Sequence, residues 1–429
     1  MNILNISRKL AECNAYIGQL ETQNQLLRQR EELAKKSVKA SQQASYEQRK
    51  EAYLLPIREM TAFLASHYEF RHNVVRDSYE LRRRNSDEPW LPLDERQLNS
   101  VMNSVQDEGR VYCLKSLVVQ RIKSRLATDY HPVTAYLEQV RGQWDGTDRV
   151  SELISRVNPS DYCRRMMRLW LRAVVAQWLG RDARHANAVM LLLVSPRQGL
   201  HKSTFLHELL PEQLADYYTD DYSLSSRSNA ERKLVEFALV NIDEFDKLPP
   251  KKMPDLKTLM QTLRPSFVKA YKTNFNLLPR IASFVGTSNQ RQLLTDRTGS
   301  RRFLILEPES VIRVAGIDHD QLYAQLIHEV ESGLPCHFTK ADEAEMELHN
   351  QTYYVVSDLE RLVLRFFRRP EEGEACQELS ARQLMNILQK HNGRLLREES
   401  ETHFGRLLLR LGFDRIHNHL GNVYRVVLL

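Results

Sequence analysis

Apolar residues recur every seven positions through the first thirty residues. Ile3, Leu10, Ile17 and Asn24 make one seam, and Ile6, Cys13, Leu20 and Leu27 a second. β-Branched residues in the first seam, interrupted by a polar Asn, favour a two-stranded parallel coiled coil and set its register. The alternative is an amphipathic helix packed on its own domain. Residues 28–51, rich in Gln, Lys, Arg, Glu and Ser, continue as a solvated helix or linker. Over 52–185 the pattern reads as mostly helical, with Pro56, Pro89, Pro92 and Pro132 at boundaries.

The period then changes. Met190 to Val194 is a short, wholly apolar run, and Phe237 to Ile242 is another, broken only by Asn241. A third, within 281–290, ends in Gly286-Thr287-Ser288-Asn289, and a fourth follows Arg301-Arg302. Runs of this length and composition suit parallel strands buried on both faces, so the centre of the chain is expected to be an α/β core. After about residue 350 helical spacing returns at Leu359, Leu362, Val363 and Phe366. Two more helices are expected at 379–389 and 401–411, with Ser380 and Ser400 or Thr402 as caps. Strand-like runs at 413–416 and 423–428 follow, around a turn at Leu420-Gly421-Asn422. Helices followed by a hairpin predict a winged-helix-like domain. The expected division is a helix over 1–50, a helical domain over 52–150, an α/β core over 151–350 and the winged-helix-like domain over 355–429.

The chemistry sits in the core. Residues 190–210, MLLLVSPRQGLHKSTFLHELL, run strand, turn, Lys-Ser, helix, the layout of a nucleotide phosphate loop. There the Lys202 ammonium reaches the phosphates of ATP and the Ser203 hydroxyl binds Mg²⁺. Lys202-Ser203-Thr204 opens a helix whose free N–H groups face the anion. The usual G-x-x-x-x-G-K-[ST] pattern has Pro196 and His201 where glycines stand, and only Gly199 remains inside the loop. Taken alone, this segment also reads as an ordinary strand-to-helix turn.

Asp243 and Glu244 end the second apolar run, at the strand terminus where ligands sit in open α/β sheets. Asp243 suits Mg²⁺, and Glu244 suits activation of the attacking water. Asn289 ends the third run, where an amide can hold that water. Arg301 and Arg302 precede the fourth, and arginine suits transition-state charge because it stays ionised and offers forked donors. A finger of this kind usually comes from a neighbouring subunit, which implies a homo-oligomer.

In SPRQGLHKSTF, LVNIDEFDKLP, VKAYKTNFNLLPRIASFVGTSN and LLTDRTGSRRFL the chain resembles the virulence-associated protein E family, P-loop ATPases similar to superfamily 3 helicases. The resemblance covers roughly residues 90–350. It implies ATP-driven work on DNA in the replication of a mobile element. Lys202 and Ser203 match the family's phosphate loop, Asp243 and Glu244 its acidic pair, Asn289 its sensor and Arg301 or Arg302 its finger. It also implies a pore hairpin, which Val268–Tyr271 and Leu277–Ile281 would form, with Lys269, Lys272 and Arg280 as DNA contacts. Basic residues on a solvated hairpin are an equally good reading of those three.

Bulk properties narrow the picture little. The formal net charge of +6 over 429 residues is a mild basic bias, compatible with nucleic acid. Five cysteines without metal spacing argue against a disulfide framework and for a reducing, cytoplasmic setting. No apolar run is long enough to span a membrane. In the winged-helix-like domain, Arg406 and Arg410 lie four apart and would face DNA. No polymerase or primase motif is visible, so a priming or replication partner would be separate. The leading expectation is therefore an oligomeric DNA-acting ATPase. The alternatives are a catalytically weak DNA-binding scaffold on the same fold and a nucleotide-switched regulator.

Overall fold

The computed structural model describes residues 3–181, 186–221, 224, 226–265, 267–268, 275–276, 279–295, 299–371, 373–397, 399–418 and 421–429. The chain divides into two compact units at Pro132/Val133.

The first unit begins with a single helix, α1 (Ile3–His67), of 65 residues. Residues 6–53 of it are exposed, and Pro56 lies inside the helix rather than at the boundary expected for it. The last turns of α1 insert Met60 and Leu64, both fully buried, into a core with Phe70, Leu81, Val101 and Val105. Strands β1 (Tyr68–Asn73), β2 (Ser78–Arg83), β3 (Leu91–Pro92) and β4 (Ala127–Tyr130) form one sheet in the order β3-β2-β1-β4. Helices α2 (Glu95–Asp107) and α3 (Lys115–Arg121) complete the unit.

This sheet corrects the mostly helical expectation. Tyr68 and Phe70 point to the core, while Glu69 and Arg71 alternate on the other face. There Arg71 pairs with Glu80 at 2.6 Å and Arg82 with Glu69 at 2.6 Å, each across the strand pair. The Arg71 guanidinium also lies 3.8 Å from the Tyr130 ring centre and 4.3 Å from that of Trp90. The charges that mask the strand pattern are thus a cross-strand ladder. Arg82 is committed to that ladder.

The second unit opens with α4 (Pro132–Val140), α5 (Arg149–Ser155) and α6 (Asp161–Trp178). Then follow β5 (Met190–Val194), α7 (Lys202–His207), β6 (Tyr218–Thr219), α8 (Arg227–Glu236), β7 (Leu239–Ile242) and α9 (Met253–Gln261). A short antiparallel pair, β8 (Phe267–Val268) with β9 (Phe275–Asn276), precedes β10 (Ser283–Ser288), β11 (Phe303–Leu306), α10 (His319–Glu331) and α11 (Lys340–His349).

Five of these strands make one sheet in the order β11-β5-β10-β7-β6, with every neighbouring pair parallel. The three apolar runs at 190, 237 and 281 are its three central strands. β10 is buried along its whole length between β5 and β7. A Cβ at Gly286 would stand 2.5 Å from Met190 Cε and 2.8 Å from the Ile242 carbonyl oxygen, so only glycine lets the central strand lie this close. Helix α6 fixes where β10 starts. Gln177 Nε2 donates to the carbonyls of Ile281 and Ala282 at 3.0 and 2.8 Å, and Trp178 Nε1 donates to Ile281 O at 2.9 Å. Helices α4 and α5, expected in the region before residue 151, are tied to α10: Tyr136 Oη donates to Asp320 and the Val150 N–H to Gln325.

The C-terminal part runs α12 (Asp358–Phe366), β12 (Phe367–Arg368), β13 (Gln377–Ser380), α13 (Ala381–Leu396), α14 (Glu401–Arg410), β14 (Arg415–Asn418), β15 (Gly421–Leu428). β15 pairs antiparallel with β12, β13 and β14 over a separate core that includes Val363, Leu384, Phe404 and Phe413. Ser380 and Ser400 cap α13 and α14 through Gln383 and His403 N–H, as their positions predict. Leu379 belongs to β13, so the helix expected from 379 begins later.

Candidate nucleotide site

The carboxyl ends of β5, β10 and β7 lie side by side, and the chemistry-bearing residues follow each of them directly. After β5 the chain turns through Gly199 (φ 76°) and His201 (φ 59°) into α7. Both are left-handed, so His201 takes the backbone conformation that glycine takes more cheaply. The departure from the usual motif is absorbed as local strain of about 1–2 kcal/mol. Gly199 is exposed, with open space where a Cβ would stand. Thr204 is exposed on the first turn of α7, where its carbonyl accepts the Glu208 N–H.

Lys202 is 7 % exposed and reaches back across the strand ends. Its Nζ donates to Asn289 Oδ1 at 2.9 Å and lies 3.4 Å from the Ser195 carbonyl. Burial lowers its pKa below the ordinary 10.5, against the opposite pull of Asp243 and Asp246. Ser203 Oγ donates to Asp243 Oδ1 at 3.0 Å. Lys202, Ser203, Asp243 and Asn289, which lie up to 87 residues apart in sequence, therefore meet in one place.

Two residues that sequence reasoning passed over hold carboxylates here, Thr287 that of Asp243 and Ser288 that of Asp246. Thr287 Oγ1 donates to the same Asp243 Oδ1 at 2.5 Å and accepts the Glu244 N–H at 3.4 Å. Ser288 Oγ donates to Asp246 Oδ1 at 2.7 Å and accepts the Gln290 N–H at 2.9 Å. The signal was present: two hydroxyls end a strand otherwise apolar, beside a strand that ends in carboxylates. Glu244 is exposed, left-handed at φ 49°, and its Oε2 is 2.6 Å from Lys247 Nζ.

The arginines stand elsewhere. Arg301 and Arg302 precede β11, which runs parallel to β5 with Phe303 opposite Met190. They sit at the amino-terminal edge of the sheet, opposite the carboxyl ends that carry Lys202 and Asp243. Arg301 pairs with Glu343 of α11 at 3.1 Å, and Arg302 packs against Gly299.

Arg280 requires correction. It was expected as a DNA contact on a hairpin, but it is 1 % exposed. Its guanidinium donates to the carbonyls of Ala282, Leu259, Met260 and Asn187 at 2.6–3.2 Å. It locks α9 and the segment before β5 to the start of β10 and faces no solvent. Of the expected hairpin, Val268 lies in β8, which pairs antiparallel with β9, and Ile281 belongs to the buried approach to β10; residues 269–274 and 277–278 lie outside the described residues. Lys269 and Lys272 lie outside the described residues. Arg406 and Arg410 are both exposed on α14.

Comparison with known families matches the virulence-associated protein E-like domain over residues 137–355, just over half of the chain. The chain belongs to the virulence-associated protein E-like family. The match contains every residue of the site above. In this family member, residues 357–426 match a second family, described as a domain of unknown function from B. Theta. Among solved structures, the apo NrS-1 C-terminal region is similar at a TM-score of 0.44 and 14% identity, covering 87% of this chain and 99% of that one. A second form of that region gives 0.41 and 13% over the same shares. No curated protein matches. Among the described residues no His, Cys, Asp and Glu cluster has the makings of a metal site, and no helix is long and apolar enough to cross a membrane. The five cysteines are free thiols, and burial pushes Cys163 up to about 12.

Proposed function

We propose that this chain is a Mg²⁺-dependent P-loop ATPase that acts on DNA as a homo-oligomer, in the replication of a mobile element. The observation that carries the reading is the convergence of Lys202, Ser203, Asp243 and Asn289 at the carboxyl ends of three adjacent parallel strands. Open α/β sheets bind ligands on that edge, where strand order reverses. Here β5 and β10 are neighbours, and the chain leaves β5 toward β6 at one edge of the sheet and β10 toward β11 at the other.

The groups present fit the ligand. A buried ammonium whose pKa is depressed by desolvation gains most from an anion such as a phosphate. A hydroxyl and a carboxylate 3.0 Å apart are the hard oxygen donors that Mg²⁺ prefers. Bound Mg²⁺ would supply charge neutralisation on the phosphates. Lys202 would hold those phosphates, Ser203 and Asp243 the ion, and Asn289 would orient Lys202 and the attacking water. Glu244 would take the proton of that water, once released from Lys247. Arg301 or Arg302, on the far edge of the sheet from its own site, is suited to serve a neighbouring subunit's site. This supports assembly with ATP between protomers. The helix–strand–strand–helix–helix–hairpin order of the C-terminal part supports a winged helix, with Arg406 and Arg410 toward DNA. A separate primase or replication protein would then supply priming.

Two observations favour a second reading, a nucleotide-switched or catalytically weak DNA-binding scaffold: the strained His201 in the phosphate loop and the Glu244–Lys247 pair. Steady-state ATP hydrolysis with and without single-stranded DNA separates the two. The ATPase reading expects DNA-stimulated turnover that falls at least 100-fold in Glu244→Gln. Absent turnover with nucleotide binding retained would establish the scaffold instead.

A further inference from the structure

From residue 6 to residue 53 the side chains of α1 are exposed within the chain. Ile6, Leu10, Ile17, Leu20 and Leu27 are each between 42% and 62% exposed. They are not scattered, but occupy two rows at strict seven-residue spacing. A straight α-helix drifts about 20° per heptad against such a repeat. A flat protein surface would lose the rows within a few turns, whereas a second helix supercoiled around the first keeps them in contact.

We propose that the occupant of this face is a second copy of the chain, joined to the first as a parallel, in-register two-stranded coiled coil over Ile3–Leu27. Three features select this partner. Ile3 and Ile17 stand in the first row beside Leu10, and Leu20 and Leu27 in the second beside Ile6, so two of the three aliphatic residues in each row have the composition that favours two parallel strands. Asn24 lies in the first row, where only register with another Asn24 satisfies both amides inside the seam. Glu31 takes the next first-row position, so the seam ends where in-register pairing would oppose two carboxylates.

The area is sufficient. Six aliphatic seam residues per helix, burying roughly 60–120 Å² each, give the pair about 700–1,400 Å² before flanking side chains contribute. A specific interface needs about 1,000 Å². Beyond the seam the exposed part of α1 continues to residue 53, a stalk of about 39 Å at 1.5 Å per residue. The pairing does not depend on the ATPase reading, since no residue of the nucleotide site takes part.

The test uses the full-length chain in a Cys13→Ser background, with single cysteines placed at Ile6→Cys, Leu27→Cys and, on the opposite helix face, Ala15→Cys. Copper–phenanthroline is the oxidant. Ile6→Cys and Leu27→Cys should each form a disulfide-linked dimer, with Ala15→Cys and the background giving none. Adding Lys202→Ala should leave these products unchanged, which separates this pairing from any assembly driven by nucleotide. Sedimentation of Ile17→Lys with Leu20→Lys should show the dimer lost while circular dichroism keeps the sheet-containing fold. Failure of both seam cysteines to cross-link would overturn the proposal. So would cross-linking only between Ile6→Cys and Leu27→Cys when the two are mixed, since that is antiparallel pairing.

Discussion

At the scale of single residues, the acidic pair is held in place by Thr287. Asp243 receives two hydroxyl donors, Ser203 and Thr287, on one oxygen. Replacing the Thr287 hydroxyl by a methyl changes shape little in a strand that is fully buried, so the fold should survive. Asp243 would then be free to rotate away from Ser203, and the Glu244 N–H would lose its acceptor. Thr287→Val is expected to lower ATP turnover about tenfold or more with Tm nearly unchanged, and Thr287→Ser to restore most of it. Equal loss in both variants would mean that the γ-methyl packing matters and the hydroxyl does not. Arg280 carries the opposite lesson, because its charge serves the fold. Arg280→Ala leaves several buried carbonyls without a donor and opens a cavity, at a cost of at least about 3 kcal/mol. Lysine at that position cannot reproduce the planar fork. Urea unfolding of the two variants measures this, and a change below about 1 kcal/mol would contradict the structural role.

At the scale of elements, legibility followed how completely a strand is buried. Met190–Val194 and the runs ending at Asp243 and Asn289 are apolar because helices cover both faces of the sheet, and they could be read directly. The sheet of Tyr68–Asn73 and Ser78–Arg83 could not, because its second face carries Arg71, Glu80, Glu69 and Arg82 in cross-strand pairs. Such pairing is a property of two strands together and leaves no apolar period in either one. β6, with two residues, is too short to announce itself. The site residues were legible for the same reason as their strands: Asp243 and Asn289 directly follow β7 and β10, and Lys202 opens the helix after the turn from β5. Thr287 and Ser288 lie inside the run and read as part of it. Arg280 was misplaced because a basic residue before a strand resembles a solvated turn, and only the surrounding carbonyls reveal it as internal. Similarly, Pro56 resembles a helix boundary until α1 is seen to run through it.

At the scale of the whole molecule, the family match over 137–355 spans Lys202, Ser203, Asp243, Glu244 and Asn289 together. The long N-terminal helix lies outside that match, and the C-terminal module has its own family match. The proposed function rests on a Mg²⁺·ATP site built on Lys202 within the second unit. Calorimetric titration of the full-length chain with ATP, with Mg²⁺ and with EDTA in its place, tests this most directly when Lys202→Ala is measured alongside. The account predicts saturable binding that needs Mg²⁺ and weakens at least 30-fold in Lys202→Ala, while the thermal unfolding of that variant stays within a few degrees of the parent. Binding of equal strength in both proteins, or none in the parent at millimolar ATP, would contradict it.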